Sequence, residues 1–196
     1  MKNYLPLLLS ALLCASAATV RADDVYNIDP VHSSIGFKVR HFFSYVPGNF
    51  TTFSGTIHLD ADHPEHSTVS ATIDAASIDT RNEKRDADLK SADFFDVAKY
   101  PTITFKSKSV KQTGADSADI VGDLTMHGVT REITLHAKLL GKGEGMGGKP
   151  ISGWEIKADP IKRSDYGIKW NKVIEGTAVV GEEVSVMINV EADKAP

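Results

Sequence analysis

The sequence predicts an all-β fold: an antiparallel barrel of about eight strands, interrupted by one short helical insertion around residues 80–97. Three observations predict it. Apolar and polar residues alternate with period two through most of the chain after residue 25, and turn residues separate the alternating stretches. About eight strands with one apolar face each are too many for a flat open sheet, and closing them removes the exposed edges. Composition agrees with one folded domain: 196 residues, 41% hydrophobic, 24% charged and 8% aromatic.

The chain opens on a segment with the form of a secretion signal. Lys2 supplies the charge, Leu5 to Leu13 form a short apolar run, and small residues follow from Ala15 to Ala18. Cleavage fits after Ala17 or after Ala22; the second is preferred, because Asp23-Asp24 and a strand-like pattern begin there. The expected division is therefore a removed signal peptide at 1–22 and a barrel domain at 23–196. The apolar run falls short of the roughly 20 residues a bilayer requires, so the mature chain is expected to be soluble. Cys14, the only cysteine, leaves with the signal, and with it any disulfide, thiol nucleophile or cysteine zinc site. Leu13 stands where a lipoprotein signal carries a small residue, which argues against a lipid anchor. Twenty-two Lys+Arg stand against 26 Asp+Glu; without Lys2 and Arg21 the balance is 20 against 26, a net charge of −6. No basic stripe is visible, so nucleic acid is excluded as a partner.

Ser34 to His41 places Ile35, Phe37 and Val39 on one face. Gly55 to Asp60 does the same with Ile57 and Leu59, followed by Val69, Ala71 and Ile73, then Ile103 and Phe105. Ile120, Leu124 and Met126 lead through a turn at His127-Gly128 into a long strand with Ile133, Leu135, Ala137 and Leu139, a hairpin. A Gly-rich loop at 141–150 precedes a strand around Trp154 and Ile156, and the last strand alternates Val184, Val186, Ile188 and Val190.

Thr80-Arg81-Asn82-Glu83 has the capping-box form, which predicts a helix capped by Thr80 and running through Leu89. A second helical turn is expected at Ser91, carrying Phe94 and Phe95, with Pro101 as the stop. The three long loops, near 41–54, 80–101 and 141–150, are the expected mouth segments. A barrel of this size is either filled by its side chains or holds one small ligand. The inward candidates mix large residues (Phe37, Phe105, Trp154) with small ones (Ala71, Ala137, Ala158), which leaves both outcomes open.

Four stretches shift that balance. Asp88-Leu89-Lys90-Ser91-Ala92-Asp93-Phe94-Phe95-Asp96, running into Lys99 to Phe105, resembles the YceI-like family of bacterial periplasmic proteins. Ile28 to Phe37, Gly122 to Thr130 and Ile161 to Ile168 resemble it too, and the four cover the chain beyond its signal in order. The resemblance implies a lipocalin-like, extended antiparallel barrel in the periplasm, with a tunnel for the tail of a prenyl diphosphate or a long-chain quinone. It also implies a carrier that is not an enzyme, needs no cofactor and touches a membrane surface transiently. Whether it is a monomer or a dimer stays open.

On that reading the tunnel and mouth candidates are Phe37, Val39, Phe42, Phe43, Phe50, Phe53, Ile57, Phe94, Phe95, Phe105, Leu124, Met126, Leu135 and Trp154, with Phe42, Phe43, Phe50 and Phe53 crowding the loop after the first long strand. His41, Arg81 and Arg85 are the head-group candidates, although Glu83, Asp86 and Asp88 are near enough to pair with the arginines instead. His58, His63 and His66, with Asp60, Asp62 and Glu65, form the only metal-like cluster. Pro64 and the acidic content mark it as an exposed turn, so no metal site is expected and a metal-dependent hydrolase is the weaker alternative. A filled barrel serving as a stress-response interaction module is the other. No nucleophile elbow or serine-activating pair is present.

Overall fold

A computed structural model describes residues 24–196, and the proposed signal segment and Cys14 lie outside them. Alternation becomes strand: β1 (Asp24–Ile28), β2 (Ser34–His41), β3 (Ser44–Phe50), β4 (Phe53–Leu59), β5 (Thr68–Asp74) and β6 (Ile78–Asp79) precede a single helix, α1 (Glu83–Lys90). The long strands β7 (Thr102–Gly114), β8 (Ser117–Met126), β9 (Val129–Glu144) and β10 (Pro150–Ala158) follow. The short β11 (Ile161–Lys162), the hairpin β12 (Val173–Ile174) with β13 (Thr177–Ala178), and β14 (Val180–Lys194) complete the chain.

The wall is a closed antiparallel ring of eight positions. One edge of β14 pairs with β10, and its other edge pairs with β2 through residues 180–189 and with β1 through residues 192–194. β1 and β2 thus share one position of the wall. The next position is shared by β3 and β4, and the one after by β5 and β6. The ring then runs β5, β7, β8, β9, β10. A fourth position is shared by β10 and β11 along β14, so four of the eight positions are each built from two strands.

Residues opposite one another across a ladder share a face, so the predicted inward residues line up into belts. Phe50, Ile35, Ile188, Ile156 and Ala137 are successive cross-strand partners, and so are Ala71, Phe105 and Leu124. These belts form the main buried cluster, and Tyr26, Ile57, Val190 and Ala192 form a second toward the other end. Two large rings fit because glycine lies beside them. A side chain at Gly48 would collide with the Phe37 ring, and one at Gly122 would come within 2.5 Å of Phe105 Cζ and 2.6 Å of the Lys106 carbonyl oxygen. Each ring takes the place of a neighbouring side chain along the wall, one way of accommodating bulk without crossing the barrel axis.

Four local expectations are corrected. The stretch 41–54 is not a loop: Phe42 and Phe43 form a tight turn, Phe42 at φ 49°, while Phe50 and Phe53 are buried strand residues. The helix is capped by Asn82, whose side chain accepts from the Arg85 N–H at 3.0 Å. Thr80 is buried beneath it instead, because its N–H and hydroxyl both donate to Asp86. Ser91 opens hydrogen-bonded turns and not a second helix. Half of the Gly-rich stretch is ladder, since β9 runs to Glu144 and β10 begins at Pro150, and the loop is confined to residues 145–149. The His127-Gly128 turn forms as predicted, with both residues at positive φ (51° and 73°).

At the seam between β1 and β14, His32 Nδ1 sits 2.6 Å from Asp29 Oδ2 and 3.8 Å from Glu191 Oε1. The hydrogen bond to Asp29 raises the His32 pKa and lowers that of Asp29. The contribution of His32 is therefore complete below the ordinary histidine pKa and disappears as pH rises through the elevated folded value; that of Asp29 is lost at the acid end. An NMR titration is expected to place His32 above the ordinary histidine range, and Asp29→Asn to bring it back down. An unchanged midpoint in the variant would refute the pairing.

Candidate ligand-binding site

The lumen and the barrel end beside α1 are built from apolar and aromatic residues. Phe37 and Phe50 have ring centroids 5.7 Å apart, and Phe95, from the excursion between α1 and β7, packs edge-on to Phe50 at 5.9 Å. Phe94 turns to Trp170 at 5.1 Å, tying that excursion to the segment after β11. Phe105, Leu124, Leu135, Ile57 and Phe53 are buried, and Met126 and Trp154 are half-buried against the two clusters. The Trp154 indole N–H donates to Ser152 Oγ at 3.0 Å, two residues away on the same face. Val39 is half-buried. Inward-facing Phe37, Ile73, Ile133, Ile156 and Ile188 pack against the clusters yet are only partly buried, so the inner wall retains accessible apolar surface.

The hairpin turn ends in Phe43, 90% exposed, with Tyr45 beside it, 63% exposed. Phe42 is half-buried, edge-on to the exposed His41 at 5.0 Å. Of the head-group candidates, Arg85 is engaged by Thr80: Nε donates to Oγ1 at 2.7 Å and Nη2 to the carbonyl oxygen at 2.8 Å. Arg81 is exposed at φ 59°. His58 points outward from β4, and His63 and His66 pair with Glu65 and Asp60 at 3.7 and 3.5 Å on the surface. Among the described residues, the acid and histidine group whose ligand atoms lie within 4.8 Å of one another is Asp29, His32 and Glu191.

The sequence reading missed a turn of 3-10 helix, Arg163–Tyr166. Residues three apart eclipse on such a turn, so Arg163 and Tyr166 both face inward, 6% and 2% exposed, while Ser164 and Asp165 face out. Gly167, at φ 75°, closes the turn by donating to Ser164. Arg163 holds the following segment in place, with Nε on the Gly181 carbonyl at 2.9 Å and Nη1 on those of Ile168 and Trp170 at 3.0 and 2.7 Å. Burial lowers its pKa, offset in part by the charge of Glu182. His127 Nδ1 donates to the Tyr166 carbonyl at 2.9 Å, fastening the turn to the β8–β9 hairpin. Beside it, where β9 continues past its ladder with β10, a cleft of about 400 Å3 is lined by Arg131, Ile133, Ile161, Lys162 and Tyr166, together with Glu132, Asp159 and Asp165.

A closed eight-stranded antiparallel barrel with an apolar inner wall and an aromatic end defines a lipocalin-like fold. The chain belongs to the YceI-like family, whose domain matches residues 26–192. It is 38% identical over 191 residues to Protein YceI of Escherichia coli O157:H7, covering 97% of this chain and 96% of that one. The YceI protein of Campylobacter jejuni superimposes with a TM-score of 0.69 at 33% identity, over 86% of this chain and 96% of that one. A polyisoprenoid binding domain from Saccharophagus degradans, implicated in plant cell wall breakdown, shares the fold at 18% identity (TM-score 0.62, over 87% of this chain and 98% of that one).

Proposed function

We propose that the protein is a periplasmic carrier that holds the tail of an isoprenoid-type lipid, a prenyl diphosphate or a long-chain quinone, inside its barrel and performs no chemistry on it. The observation that carries the reading is the accessible apolar inner wall around Phe37, Ile133, Ile156 and Ile188. A hydrocarbon chain gains about 0.8 kcal/mol per CH2 on leaving water, so crossing an aqueous compartment requires a dry sleeve. The gain relative to a membrane is small, which makes loading reversible. The polyisoprenoid binding of a structurally similar domain supports the ligand class. Residues 1–22 act as the export signal, and exposed Phe43 and Tyr45 suit brief contact with a lipid surface.

Organic extraction of protein purified without detergent from a bacterial periplasm, followed by mass spectrometry, tests this. A prenyl lipid at near-stoichiometric amount is expected. Protein that yields none, and takes none up from vesicles doped with prenyl lipid, would end the carrier reading.

A further inference from the structure

Tyr166 carries the one buried side-chain polar atom among the described residues without a hydrogen-bond partner, its phenol oxygen. The residue is 2% exposed and belongs to the main apolar cluster. Leaving a buried hydroxyl unpaired is costly, and an apolar replacement of the same shape would avoid that cost. The Arg163–Tyr166 turn nevertheless holds the phenol inside, with Gly167 at positive φ and His127 on the Tyr166 carbonyl. A fixed donor among apolar side chains is how ligand pockets set orientation.

We propose that the Tyr166 hydroxyl donates a hydrogen bond to an uncharged oxygen of the bound lipid, a carbonyl of the quinone, amide or ester class, and that the lipid carries such an oxygen and no diphosphate. This deepens the carrier reading and rests on it. Burial pushes the phenol up to about 12, so it remains a donor throughout the physiological range. The surrounding charge disfavours a diphosphate. Arg163 is committed to three backbone carbonyls and Arg85 to Thr80. The adjoining cleft is lined by Arg131 and Lys162 together with Glu132, Asp159 and Asp165, of which Glu132 also pairs with Lys108 at 3.2 Å and Asp159 with His136 at 3.5 Å. Arg131 already donates to the Asp165 carbonyl at 3.3 Å. A multiply charged head group would meet carboxylates on that rim and, among the described residues, no uncommitted buried cation, whereas a carbonyl needs one donor and no countercharge.

Tyr166→Phe separates the hydroxyl from the ring. The delipidated variant is expected to melt at or above the temperature of the parent protein, because it loses an unpaired buried hydroxyl. Binding of decyl-ubiquinone should weaken about fivefold, while binding of squalene, which has a tail and no oxygen, stays unchanged. In the parent protein the infrared carbonyl band of bound decyl-ubiquinone should lie below its position in hexane, and return toward it in the variant. Equal affinity of parent and variant for the quinone, or equal losses for quinone and squalene, would overturn the role of the hydroxyl. Farnesyl diphosphate bound as tightly as the quinone would overturn the uncharged head group. A parent protein that binds neither quinone nor squalene overturns the carrier reading itself, a distinct result.

Discussion

Arg163→Met is expected to destabilise the protein by about 3 kcal/mol, because three backbone carbonyls, two of them in buried bonds, lose a charge-assisted donor that is only 6% exposed. For a chain of this length that corresponds to a fall of roughly 6–12 °C in Tm, read by circular dichroism at a fixed heating rate. The carbonyls belong to Ile168, Trp170 and Gly181, so the variant should also loosen the segment that presents Trp170 to Phe94. Arg163→Lys keeps the charge but lacks the planar fork, and should recover only part of the loss. A Tm within about 2 °C of the parent for Arg163→Met would show that the guanidinium does not organise this end.

The second large effect concerns the lumen. Ile188 lies on β14 between β2 and β10, inward-facing and partly accessible, while its neighbour Met187 faces outward, 50% exposed. Ile188→Trp is expected to fill the space the lipid tail needs and to lower lipid retention at least about tenfold, for a stability cost of about 1–3 kcal/mol or less where room exists. Met187→Trp places the same side chain one residue away on the outer face and should leave retention as it was. If Ile188→Trp binds lipid as well as the parent, the tail does not run past this belt.

These two residues differ in how far the sequence announced them. Ile188 is one of the evenly spaced apolar residues of the last strand, and period-two alternation identified its face without any knowledge of the fold. The same held for Ile35, Phe37, Leu124 and Leu135, because burial of one sheet face imposes a pattern on every residue in turn. Arg163 and Tyr166 sit in Ile161-Lys162-Arg163-Ser164-Asp165-Tyr166-Gly167, which by composition reads as a polar surface turn. Only the eclipsed spacing of the 3-10 turn brings the two inward. The glycine that ends it was the available signal, and alone it states a backbone conformation, not a direction.

The aromatic end shows the same limit. Phe42, Phe43, Phe50 and Phe53 are close in sequence, yet a two-residue turn separates an exposed tip from buried strand residues, and clustering in sequence could not divide them. Trp170 and Phe94 meet only because Arg163 and α1 position their segments. The helix cap went to Asn82 because Asp86, six residues on, takes both the Thr80 N–H and its hydroxyl, an arrangement that the capping-box spelling does not contain.

The central claim, that the closed wall encloses a space occupied by one lipid, is tested most directly by native mass spectrometry of the mature protein purified without detergent. One discrete added mass per chain is expected, matching a single long-chain isoprenoid lipid, released by organic solvent and absent from Ile188→Trp. A spectrum showing only the polypeptide mass, unchanged after incubation with prenyl lipid vesicles, would contradict it.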